Sequence, residues 1–258
     1  MIAKTPAQEK PLERPLTGYS RTAIFRTMAF VGDSLSSGEF ETLDADGRRT
    51  YHDLFEYSWG QFLARKNGIT GYNFSRGGMT AKEFMTEYAD KMGFFAPSLA
   101  ASAYVIALGV NDLYIHHMET GTIEDVDVAN YKNNKPTFLG YYGQIISRYR
   151  EISPHSKFFL VTFPRDTAHE GDPINEQMRR GLYALAERFD STYVIDLYQY
   201  GPLYDEDFHK RHFLNSHMSP EGYLLTAELI DSYIDYLVRT HYEDFKNVGL
   251  DAHAIPHP

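Results

Sequence analysis

The chain has 258 residues and a formal charge of −10, a balance that argues against nucleic acid and anionic membrane surfaces, which need concentrated Lys and Arg. Its 43% aliphatic and aromatic content suits a globular protein with a sizeable core, and the absence of Cys removes disulfides, thiolate metal sites and cysteine nucleophiles together. No apolar run approaches the roughly 18 residues of a membrane span, and the polar start lacks the apolar core of a signal peptide, so one cytoplasmic domain over residues 1–258 is expected.

Residues 1–27 are polar and proline-bearing, an arm laid over the domain. Met28-Ala-Phe-Val-Gly then reads as a short buried strand running into the polar turn Asp33-Ser34. A serine past the carboxyl end of an apolar strand stands where parallel α/β sheets place their ligands. The same turn can equally be a helix start capped by Asp33 or Ser34. From Glu39 to Arg49 the chain has no period and ends in Asp46-Gly47, a turn signal, so it reads as a loop near Ser34. Leu54, Phe55, Ser58, Trp59, Phe62 and Leu63 then repeat at helical spacing, with Thr50 and Asp53 as a capping pair and Gly68 as the stop.

A second strand is predicted over Ile69–Phe74, followed by the turn Ser75-Arg-Gly-Gly. Thr80 and Glu83 form a capping box for the next helix. Ala103-Tyr-Val-Ile-Ala-Leu is a continuous apolar run of strand length, as in a central parallel strand covered on both faces, and Asn111 and Asp112 follow its carboxyl end. Residues 114–138 are polar and aperiodic, a length that suggests a wall or lid of the site. A helix near Leu139–Ile152, a strand over Lys157–Phe163, a helix near Ile174–Phe189 and a strand over Thr192–Leu197 follow. Ser219-Pro220 announces a last helix, whose Tyr223, Ala227, Ile230, Ile234 and Leu237 share one face. The tail 241–258 reads as a surface strap. Strands alternating with helices imply a parallel sheet between helical layers.

Ser34, Gly78, Asn111 and His217 thus stand at strand ends or just ahead of a helix. A serine attacks an ester only when a base takes its proton, and histidine has a suitable pKa. The oxyanion then needs donors, which the Ser34 N–H, the Gly78 N–H and the Asn111 amide can supply. Singly, each residue has an ordinary reading as a turn, a strand end or a cap; the ordered set favours chemistry.

Gly32-Asp-Ser-Leu-Ser, Gly78 in Asn73-Phe-Ser-Arg-Gly-Gly-Met-Thr, Gly109-Val-Asn-Asp and His217 ahead of Ser219-Pro-Glu-Gly-Tyr resemble, in order, the four blocks of the SGNH (GDSL-type) hydrolase family. The resemblance spans residues 28–240. It implies a flavodoxin-like three-layer α/β/α fold with a central parallel sheet, and ester or thioester hydrolysis through an acyl-serine intermediate. Ser34 would be nucleophile and oxyanion donor, Gly78 and Asn111 further donors, and His217 the general base, while Asp33 would shape the turn and Asp112 support it.

One departure is visible. The family carries Asp three residues before the histidine, and this chain has Leu214 there. A backbone carbonyl can hold the far imidazole nitrogen instead, giving a Ser-His dyad; Asp205, Asp207 or Asn215 are the alternatives. The expected function is hydrolysis of a small acyl ester, acetyl or short acyl on a carbohydrate-like alcohol. A thioesterase or lysophospholipase with the same residues, and a binding module with weakened catalysis, are the rivals. No metal or cofactor is assigned: His116-His117 are adjacent and point apart, and Asp125-Val-Asp-Val-Ala-Asn lacks the glycine and distal glutamate of a calcium loop. The expected partner is a small-molecule ester, and a homo-oligomer is compatible with the sequence.

Overall fold

The computed structural model describes residues 9–250. Its centre is a five-stranded sheet in which every neighbouring pair is parallel. The chain enters through β1 (Thr27–Gly32), then forms the short helix α1 (Ser34–Ser37) and an antiparallel hairpin of β2 (Glu39–Leu43) and β3 (Arg49–Asp53). Helix α2 (Trp59–Asn67) leads to β4 (Thr70–Ser75). The next helical stretch starts as α3 (Ala81–Glu83), widens to a π turn over Phe84–Tyr88 and closes as α4 (Ala89–Lys91) before β5 (Ala103–Ala107). After α5 (Phe138–Ile152) come β6 (Lys157–Val161), the two-residue β7 (Arg165–Asp166), α6 (Pro173–Arg188), β8 (Thr192–Ile195), α7 (Leu197–Tyr200) and β9 (Leu203–Tyr204). Helix α8 (Glu206–His212), the two-residue strands β10 (Phe213–Leu214) and β11 (His217–Met218), α9 (Pro220–Thr240) and α10 (Tyr242–Phe245) complete the fold.

The sheet order β4-β1-β5-β6-β8 reverses direction between β1 and β5, because the chain first builds outward to β4 and then crosses back. A crevice opens at such a reversal, outside the carboxyl ends of the strands. Alternation along the strands divides the core into two layers. Ala29, Val31, Tyr104, Ile106, Phe158 and Leu160 face α3 to α6, whereas Met28, Phe30, Val105, Phe159 and Val161 face α2 and α9. The strands are covered on both faces, which is why they read as continuous apolar runs.

Local sequence accounts for most helix ends. Thr80 accepts the Glu83 N–H at 3.0 Å, and Ser219 accepts the Gly222 N–H at 3.1 Å ahead of Pro220. Residues 9–26 lie along α9, where Leu16 N–H donates to Ser232 Oγ and Arg21 N–H to Asp235.

Besides the loop expected over 39–49, which is the β2–β3 hairpin, three local expectations change. Thr50 and Asp53 do not cap a helix: they lie in β3, where Thr50 Oγ1 pairs with Thr42 Oγ1 at 2.7 Å, and α2 begins at Trp59 with Ser58 as its cap. Residues 114–138 are not a lid on the crevice. Their 3-10 turns at Ile123–Asp125 and Tyr131–Asn133 pack against α5 and α6, and Val126 is buried there. The tail is more than a strap, since Phe245 is buried against Phe25 and Phe159; residues 1–8 and 251–258 of the expected arm and tail lie outside the described residues.

Candidate active site

The turn after β1 is both things that its sequence allowed. Asp33 caps α1, its Oδ1 accepting the Leu35 N–H at 3.1 Å. Ser34 is the first helical residue, where the N–H has no acceptor within the helix and remains available to an anion. Helix α1 packs against β11, which carries His217.

Gly78 follows β4 with φ of +71° and no atom within 4 Å of the place a Cβ would occupy. A side chain would be strained by that backbone and would fill the open space beside it. Asn111 follows β5, and its Nδ2 donates to Met79 O at 3.1 Å, next to Gly78, and lies 3.4 Å from Asp33 Oδ2, next to Ser34. One amide therefore ties two strand-end turns together. Asp112 is fully buried, and its carboxylate accepts the Ala81 N–H at 2.9 and 3.1 Å, which pins the start of α3 behind the Gly78 turn.

Burial dominates the electrostatics of these acids. It pushes Asp33 up to about 7, against the pull of the Leu35 N–H and with some help from Asp112. It likewise pushes Asp112 up to about 6. A carboxyl with little water and no cation prefers its neutral form.

His217 is buried between two glutamates of β2. Its Nε2 lies 3.0 Å from Glu39 Oε1, and its Nδ1 lies 3.4 Å from Glu41 Oε2 and 3.1 Å from Ser216 Oγ. The resting partner of Nε2 is thus Glu39. The second oxygen of Glu39 leans on Gly77 so closely that a Cβ there would stand 2.1 Å from it. Burial raises the Glu39 carboxyl, opposed by His217. Glu41 goes the other way, held below the usual carboxylate range first by the Ser216 hydroxyl and also by the Ser216 N–H, His217 and Arg49. The half-exposed ring of Tyr51, paired with Glu41 across the hairpin, stands edge-on to His217 at 5.7 Å.

The other acids proposed from sequence have different tasks. Asp205 Oδ1 accepts the Phe208 N–H as the cap of α8, and Asp207 lies exposed in the first turn of that helix. Asn215 takes φ of +54° in the turn joining β10 to β11. The carboxylates at His217 are Glu39 and Glu41, which lie in the segment read as a loop. Two signals could have found them: Asp46-Gly47 is a hairpin turn flanked by pairable segments, and residues two apart on a strand share a face.

The pattern of the GDSL-like lipase/acylhydrolase family matches residues 30–225, more than half of the chain. No curated protein sequence matches it significantly. Among solved structures, the chain is similar to a family two carbohydrate esterase from Clostridium thermocellum in complex with cellohexaose, with 16% identity and a TM-score of 0.59 over 90% of this chain and 66% of that one. It is also similar to a carbohydrate esterase family 2 enzyme with a carbohydrate binding domain from Corynascus thermopiles, with 17% identity, a TM-score of 0.53, and 89% and 69% of the two chains covered. A protein from Lactobacillus plantarum aligns with 14% identity and a TM-score of 0.57 over 82% of this chain and 97% of that one. At these identities the likeness is one of fold.

Proposed function

Since the chain belongs to the GDSL-like lipase/acylhydrolase family, we propose that it is a serine hydrolase of small neutral esters, removing an acetyl or short acyl group from a carbohydrate-like alcohol. The observation that supports this reading is that Asn111 reaches both the Asp33 and the Met79 turns, while α1, which starts at Ser34, packs on β11, which carries His217, beside the reversal of strand order between β1 and β5.

In the proposed reaction the proton shared by His217 Nε2 and Glu39 stays on Glu39, whose carboxyl burial raises, and the freed Nε2 takes the Ser34 proton as Oγ bonds to the acyl carbon. The oxyanion is met by the N–H groups of Ser34 and Gly78 and by Asn111 Nδ2, whose weak 3.4 Å contact to Asp33 is the one to be exchanged. His217 then protonates the leaving alkoxide as the ester C–O bond breaks, and water repeats the sequence on the acyl-serine.

A short acyl group is supported by an apolar cavity of about 100 Å³ behind the nucleophile turn, lined by Leu35, Trp59, Leu108 and Met218; it offers room for a few carbons only. A sugar-like alcohol is supported by Tyr51, whose half-exposed ring beside His217 offers an apolar surface with a polar tip, and by the carbohydrate esterases among the similar structures.

Reaction with a fluorophosphonate probe, together with p-nitrophenyl acetate turnover, tests the proposal. Labelling is expected at Ser34, with turnover falling by about 10³-fold or more in Ser34→Ala and in His217→Ala. Folded wild-type protein that neither labels nor turns over ester would overturn it, and would favour the binding-module reading, for which Glu39 on Nε2 is the supporting contact.

A further inference from the structure

Leu214 stands where the acid that orients the histidine would be expected. The Glu41 side chain is fully buried, which is costly for a carboxylate unless partners are arranged around it. The partners are specific. Oε2 receives the Ser216 N–H at 3.2 Å and the Ser216 hydroxyl, and lies 3.4 Å from His217 Nδ1, while Oε1 faces Arg49 Nε at 3.1 Å.

We propose that Glu41 is the positioning residue for His217, an acid supplied by the β2–β3 hairpin in place of the one position 214 lacks. The inference rests on His217 acting as the general base for Ser34. With Nδ1–H donated toward Glu41, both directly and through the Ser216 hydroxyl, the neutral ring keeps its lone pair on Nε2, the nitrogen that must take the Ser34 proton. The same charge steadies the imidazolium formed at each proton transfer. Arg49 binds the far oxygen of Glu41, which leaves Oε2 aimed at Ser216 and the ring. The other groups facing this centre are Glu39 at Nε2, the Tyr51 ring, and Asp53, which adds negative charge beside Glu39.

A purely structural alternative exists, because Glu41 also ties the β2–β3 hairpin to the β10–β11 turn. Two readouts separate them. In p-nitrophenyl acetate hydrolysis across pH, Glu41→Gln is expected to lose about 100-fold or more in kcat with KM changed by less than about threefold. The acid limb of its kcat/KM profile should move to lower pH, since the amide offers the imidazolium no charge. Glu41→Asp, which restores a carboxylate, should recover at least about tenfold of that loss.

Wild-type kcat with an unmoved acid limb in Glu41→Gln overturns the inference, and so does a loss that follows the variant's melting temperature alone. Where Glu41→Gln does not fold, Ser34→Ala decides, because it leaves the hairpin untouched. Its NMR spectrum is expected to show a low-field ring N–H that nitrogen-15 correlation assigns to Nδ1 and that disappears when His217→Ala is added; its absence, or its assignment to Nε2 alone, overturns the inference. Loss of activity in His217→Ala with full activity in Glu41→Gln leaves the esterase reading standing, whereas an inert wild type removes both.

Discussion

Asp33 neighbours the nucleophile with 3% of its surface exposed, and burial pushes its carboxyl up to about 7 from an ordinary value of 3.8. Between those values the folded protein keeps a proton that the unfolded chain has released. The stability this group contributes is therefore complete below the unfolded value and is lost as pH rises through the folded one. Asparagine resembles the protonated acid and caps a helix as well. Asp33→Asn is expected to equal wild type in the free energy of urea unfolding near about pH 3 and to exceed it by up to about 4 kcal/mol at about pH 8. Equal free energies at both values would show that the carboxylate is already compensated. Of the proposed site residues, Ser34, Gly78, Asn111 and His217 were legible because each sits in a local context of strand end, turn or cap. Glu41 was not, because its segment lacks the apolar alternation that marks a half-buried strand, and the partners of its carboxylate, Ser216 and His217, lie far along the chain.

The hairpin is the element that links those residues. Strand alternation puts Glu39 and Glu41 on one face of β2, one at each nitrogen of His217, while Phe40 on the other face packs on Tyr57 and Tyr223. Tyr223 of α9 further locks the strand by donating to Glu39 O at 2.6 Å, so the hairpin's register against the site is set from below. In the proposed mechanism the two acids act in opposite senses: Glu41, at Nδ1, orients the ring, and Glu39, at Nε2, holds the nitrogen that would take the Ser34 proton. Removing Glu39 should therefore release the base. Glu39→Ala is expected to react with a fluorophosphonate about tenfold faster than wild type at neutral pH, the size of a hydrogen bond to a charged partner. Unchanged or slower labelling would show that Glu39 does not compete for Nε2. Residues 39–49 read as a loop because the apolar alternation that marks a half-buried strand is missing there.

For the whole molecule, the −10 charge and the acids gathered at the site act together. Glu39 and Glu41 lie on the hairpin beside the carboxyl ends of β1 and β5, in a crevice with low-dielectric walls, and Asp33 and Asp112 add charge there as pH rises past about 7. A neutral ester should be preferred over an anionic one of similar length: kcat/KM for p-nitrophenyl butyrate is expected to exceed that for p-nitrophenyl hemisuccinate by about tenfold at low ionic strength, with the gap narrowing in about 0.5 M salt. A gap insensitive to salt would assign the preference to shape alone. The sequence by itself determined the alternation of strands and helices, the two-faced core and the order of the four site blocks, because apolar periods, caps and turn residues are local and survive without their neighbours. Only the tertiary structure decided that the hairpin closes over His217 and that Glu41 lies beside its Nδ1. That pairing joins residues 41 and 217, and no local rule reaches across such a separation; it exists because the β1/β5 reversal and the anchoring of β2 by Tyr223 bring the two segments to the same crevice.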